Sequence, residues 1–403
     1  MAINFLITIT TIVIVGATGF TTGDILRART LQGWVQGDGE WEWKEDDPNF
    51  IPSSVTTAEE TSVSTVSTAT PKLPSGKLKP KQSLGQNFLK DPNTVGKIIR
   101  AFHEDATIHG NRRGKPLESI VELGPGAGAL TDRLVDNYGT DTLLCIEVDS
   151  RAVEILNERH PNLFVYHEDV LQVNYPELAE EKGQPLVIIG NLPYYITSQI
   201  LFALADASHF GAVDCATVTM QWEVAQRMVA PTSCKDYGIL SVVFQTYADV
   251  HRHFKIPPTV FYPVPKVDSA LVGLHFLGPS KLRERLGGVR PKDFRTVVTT
   301  AFRQRRKTIR NTLKKLPGID IEQLDAVPGP LPESVMARGD KFALEQELPN
   351  DWLKKRPEEL TPGQFVEITR LLFGDTNANE ATDSDNEAQD LGRKVWRKLK
   401  HGD

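Results

Sequence analysis

An amide, a proline and two aromatic rings follow directly after an apolar run in the middle of this chain. The run is residues 186–190, and the group that follows is Asn191-Leu192-Pro193-Tyr194-Tyr195. Such a run predicts a buried strand, and open parallel sheets bind their ligands just outside the carboxyl ends of the strands. An amide oxygen, a fixed backbone carbonyl and a flat ring at this position could hold a planar amine, and adenine is the obvious candidate.

A glycine-rich turn and two acids predict a nucleoside at the same edge of the sheet. Gly124 and Gly126 follow an apolar run, and glycines let a ligand approach the backbone closely. Glu147 closes the next run and could accept hydrogen bonds from ribose hydroxyls. Asp169 follows the third run, where it could meet an adenine amino group. The turn carries no basic residue, which disfavours a phosphate and favours S-adenosylmethionine as the cofactor.

Alternating strands and helices are needed to bring these residues together. The candidate strands are short and bounded by polar residues, glycine or proline, and helical patterns such as 150–159 lie between them. This alternation predicts a parallel, doubly wound α/β sheet. The predicted strands are residues 120–123, 143–146, 164–166, 186–189 and 216–220.

The strand pattern stops after Gly278, and the remaining sequence predicts helices. Residues 291–316 have the apolar spacing of one long amphipathic helix. A second helix is predicted to begin at Thr361, because Pro362 and Gln364 complete a capping pattern. We therefore expect a small all-helical domain over residues 279–374.

Basic side chains concentrate within this helical part, although the whole chain has a net charge of −6. Arg303, Arg306, Lys307 and Arg310 recur at helical spacing and predict a basic stripe on the long helix. A charge run is often only a solvated face. Here few acids oppose it, which favours a surface that contacts nucleic-acid phosphates.

The two ends of the chain differ from its centre in composition. Residues 1–30 contain a short apolar run followed by small residues, Phe20 and two arginines, which predicts a cleaved targeting leader. We expect an organelle, with the plastid favoured and the mitochondrion as the alternative, and no membrane contact in the mature form. Residues 31–80 predict a disordered linker and residues 375–403 a mobile tail.

Cysteine usage gives no sign of a metal centre or a disulfide framework. The three cysteines, Cys145, Cys215 and Cys234, are widely spaced, and buried free thiols are expected. We expect no metal in the site and a monomeric chain.

Four segments in this order resemble the small-subunit ribosomal RNA adenine dimethyltransferases, the KsgA family. They are residues 86–89, 122–126, 191–194 and 257–269, and the resemblance runs from about 81 to 373. It implies a Rossmann-like S-adenosylmethionine-dependent methyltransferase domain over 81–278, followed by the helical domain, which helps to hold RNA. Tyr195 and Thr197 depart from the residues that many members carry.

The resemblance also implies an activity and a set of contacts. The substrate would be two adjacent adenines in the 3′-terminal hairpin of small-subunit rRNA within a pre-ribosomal small subunit, dimethylated at N6. The cofactor contacts would be Asn87, Leu89, Gly124, Gly126, Glu147, Asp169 and Asn191. The target base would be held by Asn191, Pro193, Tyr194 and Phe261.

In the mechanism we expect, Asn191 Oδ1 and the Pro193 carbonyl accept hydrogen bonds from the adenine amine. Tyr194 stacks on one face of the base and Phe261 closes the other. Two alternatives stay open from the sequence: an enzyme acting on large-subunit rRNA or DNA, and a non-catalytic assembly or organellar transcription factor that keeps the fold. The intact motifs argue against the second.

Overall fold

A computed structural model of the chain describes residues 78–113, 119–316 and 346–374, together with 35–37, 40–42, 117 and 342. The predicted leader, the predicted tail and most of the predicted linker lie outside these residues. The chain divides into two compact units, Met1–Val66 and Ser67–Asp403. Within the first, β1 (Val35–Gly37) and β2 (Glu40–Glu42) form an antiparallel pair. Among the described helices, none is both long and apolar enough to span a membrane.

A seven-stranded sheet forms the centre of the second unit. Its strands follow the order β6-β5-β4-β7-β8-β11-β9 and have the bounds β4 (Ile120–Leu123), β5 (Leu143–Glu147), β6 (Phe164–His167), β7 (Leu186–Asn191), β8 (Val213–Gln221), β9 (Ala248–Ile256) and β11 (Ser269–Phe276). A separate antiparallel pair joins β3 (Phe88–Leu89) to β10 (Phe261–Tyr262). All five predicted strands are present.

The sheet is not purely parallel, which corrects the sequence-based prediction. Strands β4 to β8 run parallel, whereas β11 runs antiparallel to both of its neighbours, β8 and β9. Strand β9 escaped prediction because it is an edge strand that carries His251, Arg252, His253 and Lys255 instead of an apolar run.

Helices cover both faces of the sheet, as a doubly wound fold requires. In chain order they are α1 (Pro92–Arg113), α2 (Thr131–Tyr138), α3 (Ser150–Arg159), α4 (Tyr175–Lys182), α5 (Thr197–Ser208), α6 (Trp222–Met228) and α7 (Ile239–Tyr247). Alternate residues of β7 enter two different cores: Ile188 packs with α5, whereas Val187 and Ile189 pack with α1. The period of two along the strand therefore gives the sheet two buried faces.

The remaining described helices are α8 (Gly278–Leu286), α9 (Pro291–Phe302), α10 (Ile309–Leu313) and α11 (Pro362–Phe373). The start of α11 is as predicted: Thr361 Oγ1 accepts from Gln364 N (3.1 Å), and Gln364 Oε1 accepts from Thr361 N (3.0 Å). The apolar core of α5 and α7 continues into α9 and α11. The division of the chain into two domains at residue 278 stays a prediction.

The single helix predicted over residues 291–316 is wrong. The chain turns between Phe302 and Ile309, because the Ile309 amide donates to the Lys355 carbonyl (2.9 Å) instead of to a residue one turn earlier. Arg305 also leaves the helical path, since its guanidinium donates to the Tyr237 carbonyl (2.8 Å). The four predicted RNA-binding residues consequently do not form a stripe on one helix.

Candidate active site

One cavity lies at the carboxyl ends of β4, β5 and β7, where the sequence predicts the chemistry. Eight of the predicted site residues line it: Asn87, Gly124, Gly126, Glu147, Asp169, Asn191, Pro193 and Tyr194. Aliphatic side chains form much of the remaining wall: Leu84, Leu123, Ile146, Val170, Leu171 and Ile200. The arrangement offers carboxylates and an amide beside an apolar surface, as a nucleoside requires.

Two predicted residues lie elsewhere. Phe261 is fully buried in the core that contains α1, and it pairs with Leu89 across the small β3–β10 sheet. Neither side chain lines the cavity. Phe261 thus packs in the core in this structure, and its expected closure of the target base stays a prediction.

The glycine turn needs glycine for two separate reasons. Gly124 and Gly126 have φ values of +64° and +53°, in the left-handed region that side chains rarely adopt. A Cβ on Gly126 would also lie 2.8 Å from Cε1 of Phe88, which packs over the turn. The turn therefore presents bare backbone to the cavity.

Glu147 holds this turn while facing the cavity. Its Oε2 accepts from Gly126 N (2.9 Å) and its Oε1 accepts from Asp149 N (2.8 Å). Burial raises the pKa of the Glu147 carboxyl. Each carboxylate oxygen retains a lone pair, so that a ribose hydroxyl could still donate to it.

Asn191 is fixed by contacts to two distant parts of the chain. Its Nδ2 donates to the Asn87 carbonyl (2.8 Å), and its Oδ1 accepts from Thr219 Oγ1 (2.5 Å). A carbonyl can only accept, so the amide nitrogen must face Asn87 and the amide oxygen must face Thr219. The oxygen keeps one lone pair for a ligand.

The groups that follow Asn191 are also engaged. The Pro193 carbonyl accepts from Thr197 Oγ1 (2.9 Å) and from Ile196 N (3.3 Å). The half-buried Tyr194 forms a hydrogen bond with Ser269 Oγ (2.6 Å) through its hydroxyl. The Thr197 hydroxyl would have to rotate away before the Pro193 carbonyl could accept from a substrate amine.

A short loop, residues 81–87, covers one side of the cavity through Leu84, Gly85, Gln86 and Asn87. Sequence reasoning left the role of this loop open and missed the residue that anchors it. Asp149 accepts from Gln86 Nε2 (3.0 Å) and Lys81 Nζ (3.4 Å), and Arg151 holds the pKa of the Asp149 carboxyl well below its usual range. Its position directly before α3, as an N-cap, was the available signal.

Tyr195 packs on the same loop. A Cβ on Gly85 would lie 2.8 Å from Cδ1 of Tyr195, so the ring lies directly against the glycine. Thr197 supports Pro193, as described above. Both departures from the family pattern therefore contact the cavity wall.

A second carboxyl lies behind the glycine turn. Glu122 Oε2 accepts from Thr131 Oγ1 (2.7 Å), and Cys145 Sγ lies 3.7 Å from the same oxygen. Complete burial raises the pKa of Glu122 to about 8, so this carboxyl is mainly neutral at pH 7. Cys145 and Cys215 are buried free thiols, as expected.

The strand order, together with a glycine turn and acids after successive strands, defines a Rossmann-like fold of the methyltransferase class. Residues 77–326 match the profile of the family described as ribosomal RNA adenine dimethylase. Because this match covers more than half of the sequence, the chain belongs to that family.

Two relatives found by sequence agree with this assignment. The chain is 41% identical over 311 residues to the ribosomal RNA small subunit methyltransferase A of Salinibacter ruber, which covers 76% of this chain and 88% of that protein. It is 33% identical over 304 residues to the protein of the same name from Shouchella clausii, and this match covers 73% of this chain and 90% of that protein. Among solved structures, a dimethyladenosine transferase from Plasmodium falciparum is 23% identical, with a TM-score of 0.49. The match covers 70% of this chain and 95% of that one.

Proposed function

We propose that this chain dimethylates N6 of two adjacent adenines in the 3′-terminal hairpin of small-subunit rRNA, within a pre-ribosomal small subunit. The family assignment and the names of the relatives support the reaction class. The observation that carries the proposal is Asn191, whose amide oxygen is held at the cavity by Thr219 and Asn87.

The cofactor that fits this cavity is S-adenosylmethionine, which supplies an electrophilic methyl group. Bare backbone at Gly124 and Gly126 leaves room where a Cβ would intrude. Glu147 and Asp169 provide acceptors for ribose hydroxyls and for an adenine amine, and Leu123 and Ile146 provide apolar contact. Among the residues that the structure describes, no Lys or Arg lines the cavity, which suits a nucleoside without phosphates.

Positioning is the main task of the protein groups around the target base. The N6 lone pair of adenine is delocalised into the ring, so it must be turned toward the methyl donor. Asn191 Oδ1 has a lone pair available to accept from the amine, and Tyr194 can stack on the base, a contact worth about 1–3 kcal/mol. Orientation of this kind can supply on the order of 7–11 kcal/mol at best.

The target adenine must leave its base stack to enter the cavity, because the groups that would accept hydrogen bonds from its amine lie on the cavity wall. The Pro193 carbonyl is the second acceptor that we propose. It becomes available when the Thr197 hydroxyl, which now donates to it, rotates to another partner.

The decisive experiment compares wild type with Asn191→Ala on unmethylated small-subunit particles. Methyl transfer is followed from labelled S-adenosylmethionine, and primer extension locates the product adenines near the 3′ end. Wild type should methylate both adenines, whereas Asn191→Ala should be at least about 100-fold slower, the effect of misplacing a reacting group by about 1 Å. Large-subunit particles serve as the substrate control. Product on those particles alone, or an unchanged rate for the variant, would overturn the proposal.

We propose that the turn after α9 contacts the RNA backbone. Arg303, Arg306 and Lys307 are exposed there, and Arg310 is half-buried in α10. If two of these contact phosphates, Arg303→Ala/Arg306→Ala should weaken RNA binding and reduce the salt slope by roughly 1.4–1.8. A control with two exposed cations replaced on α1, Lys97→Ala and Arg100→Ala, should keep the wild-type slope. Equal slopes in all three proteins would contradict the assignment.

The cellular setting is also a proposal. We propose an organelle, with the plastid ahead of the mitochondrion, on the composition of residues 1–30. Expression of residues 1–80 fused to a fluorescent protein would test this by microscopy, and diffuse fluorescence would exclude both organelles. We propose that the enzyme is a monomer, which analytical ultracentrifugation would check.

A further inference from the structure

Three histidines surround one buried carboxylate on the face of the sheet that α1 covers. Asp105 of α1 is 2% exposed, and its oxygens meet His251 and His253 of β9 and His275 of β11. None of the four residues lines the cavity described above. Sequence patterns did not predict this cluster, because Asp105 precedes His253 by 148 residues.

The fold builds this cluster from three elements. His251 and His253 are two positions apart on β9, so both side chains emerge on one face of the strand. Gly273 makes room for them, since a Cβ there would lie 2.5 Å from Cε1 of His251 and 2.8 Å from Oδ2 of Asp105. Thr217 of β8 donates to Asp105 Oδ2 (2.6 Å) and thereby fixes the orientation of the carboxylate.

The ligand atoms converge at the spacing of a metal coordination shell. His253 Nε2 lies 2.9 Å from Asp105 Oδ2 and 3.1 Å from His251 Nε2, which in turn lies 3.2 Å from Asp105 Oδ1. A tetrahedral zinc ion with ligands at about 2.0–2.1 Å places neighbouring ligand atoms about 3.3 Å apart. Small side-chain rotations would therefore suffice to bind one.

The two facing imidazole nitrogens suit a cation as well as they suit protons. If both Nε2 atoms carry a proton, each N–H donates to its own oxygen of Asp105, and the two N–H groups then lie side by side, 3.1 Å apart. If one is unprotonated, its lone pair faces a carboxylate oxygen. A single cation bound by both lone pairs and by the carboxylate would use all three groups at once.

We propose that Asp105, His251 and His253 bind one zinc ion. Two imidazoles and one carboxylate suit a borderline transition-metal ion better than Mg²⁺ or Ca²⁺, which prefer oxygen ligands. His275 is the orienting partner, because its Nε2 lies 2.9 Å from Asp105 Oδ1. The His251 side chain is 43% exposed, so water can complete the shell from outside.

The proposed role of the ion is to fasten α1 to the edge of the sheet. Strand β9 lies at that edge, paired only with β11 within the described residues, and it carries two of the three ligands. The third ligand lies on α1, which packs across β8 and β11. The ion would thus link a helix to the strand least supported by hydrogen bonds.

The test is a zinc titration of the chelator-treated full-length protein, by calorimetry against a competing chelator. We expect one equivalent of bound zinc and an increase in Tm when zinc is added. His251→Gln/His253→Gln should weaken binding by more than about 100-fold and abolish the Tm increase, whereas His275→Gln should weaken binding by about 10- to 100-fold. The control His103→Gln, an exposed histidine of α1 outside the cluster, should bind as wild type does.

Two further variants test zinc binding if the double variant does not fold. His251→Gln alone changes a partly exposed side chain and should fold while losing most of its affinity. His251→Cys supplies another zinc ligand and should retain binding within about tenfold. Wild-type protein that binds no zinc, or variants with the wild-type Kd, would overturn the proposal.

Discussion

Replacing Thr219 with valine tests whether the orientation of Asn191 limits the reaction. Thr219 is fully buried in β8, and its hydroxyl donates to Asn191 Oδ1. Valine has nearly the same shape and lacks the hydroxyl. Asn191 keeps its other contact, from Nδ2 to the Asn87 carbonyl, so the side chain stays in place with more rotational freedom.

The magnitude follows from the single hydrogen bond that is lost. A neutral hydrogen bond contributes about 0.5–1.5 kcal/mol net. If this energy serves to orient the amide oxygen in the transition state, the rate constant for methyl transfer falls about 2- to 13-fold. That loss is much smaller than the roughly 100-fold loss expected for Asn191→Ala. The affinity for S-adenosylmethionine should change less than the rate, because Asn87 and the glycine turn are untouched.

Single-turnover methyl transfer to unmethylated small-subunit particles measures this rate constant, and calorimetry measures cofactor affinity. Thr246→Val is the matched control, since it removes another buried threonine hydroxyl, one that donates to the Val242 carbonyl within α7. The control should lose stability without losing rate. An unchanged rate for Thr219→Val, or the same loss of rate in both variants, would refute the orienting role.

Three further predictions concern the glycine turn and the stacking ring. Glu122→Gln should be more stable than wild type by on the order of 3 kcal/mol at pH 7. Burial raises the pKa of the Glu122 carboxyl from 4.5 to about 8, so the wild-type protein loses stability as the pH rises between these two values. Urea unfolding should show the difference vanishing toward pH 4.5, and a difference independent of pH would contradict the burial argument. Gly126→Ala should lose more stability than the roughly 1–2 kcal/mol of left-handed backbone strain, because its Cβ would meet Phe88. Gly183→Ala is the control, since Gly183 has φ +66° and ψ +12°, in the left-handed region, and its Cβ would meet nothing within 4 Å. Thermal unfolding compares the two variants, and equal losses would exclude the clash. Tyr194→Ala should lower kcat/KM about 5- to 160-fold and Tyr194→Phe far less, since the ring does the stacking; equal losses would show that the hydroxyl matters instead.

Local sequence patterns predicted those parts of the fold in which burial and chemistry agree. The central parallel strands β4, β5 and β7 are buried on both faces, so each appears as a short apolar run, and the helix α3 was predicted at its observed bounds. Strand β9 was not predicted, because its exposed positions are charged and break the apolar run. The helix predicted across residues 303–308 failed for a tertiary reason: the Ile309 amide is bound by Lys355, far away in the sequence.

The site was predictable where a ligand needs a particular residue type at a strand end. The glycine turn, Glu147, Asp169 and Asn191 belong to this group, and all of them line the cavity. The burial of Phe261 in the core was not predicted, because a motif gives the identity of a residue and not the direction in which its side chain points. Thr219 was missed because a threonine inside a strand is ordinary, and only the folded sheet brings its hydroxyl to Asn191.

Strand β8 connects the proposed active site with the proposed zinc site. Thr217 and Thr219 are two positions apart and therefore face the same side of the sheet, toward α1. One donates to Asp105 and the other to Asn191, and both threonines are fully buried. The face of β8 that binds the carboxylate of Asp105 thus also orients the Asn191 amide, which we propose contacts the substrate. Because both hydroxyls are attached to one rigid strand, the position of α1 on the sheet and the orientation of Asn191 depend on the same element.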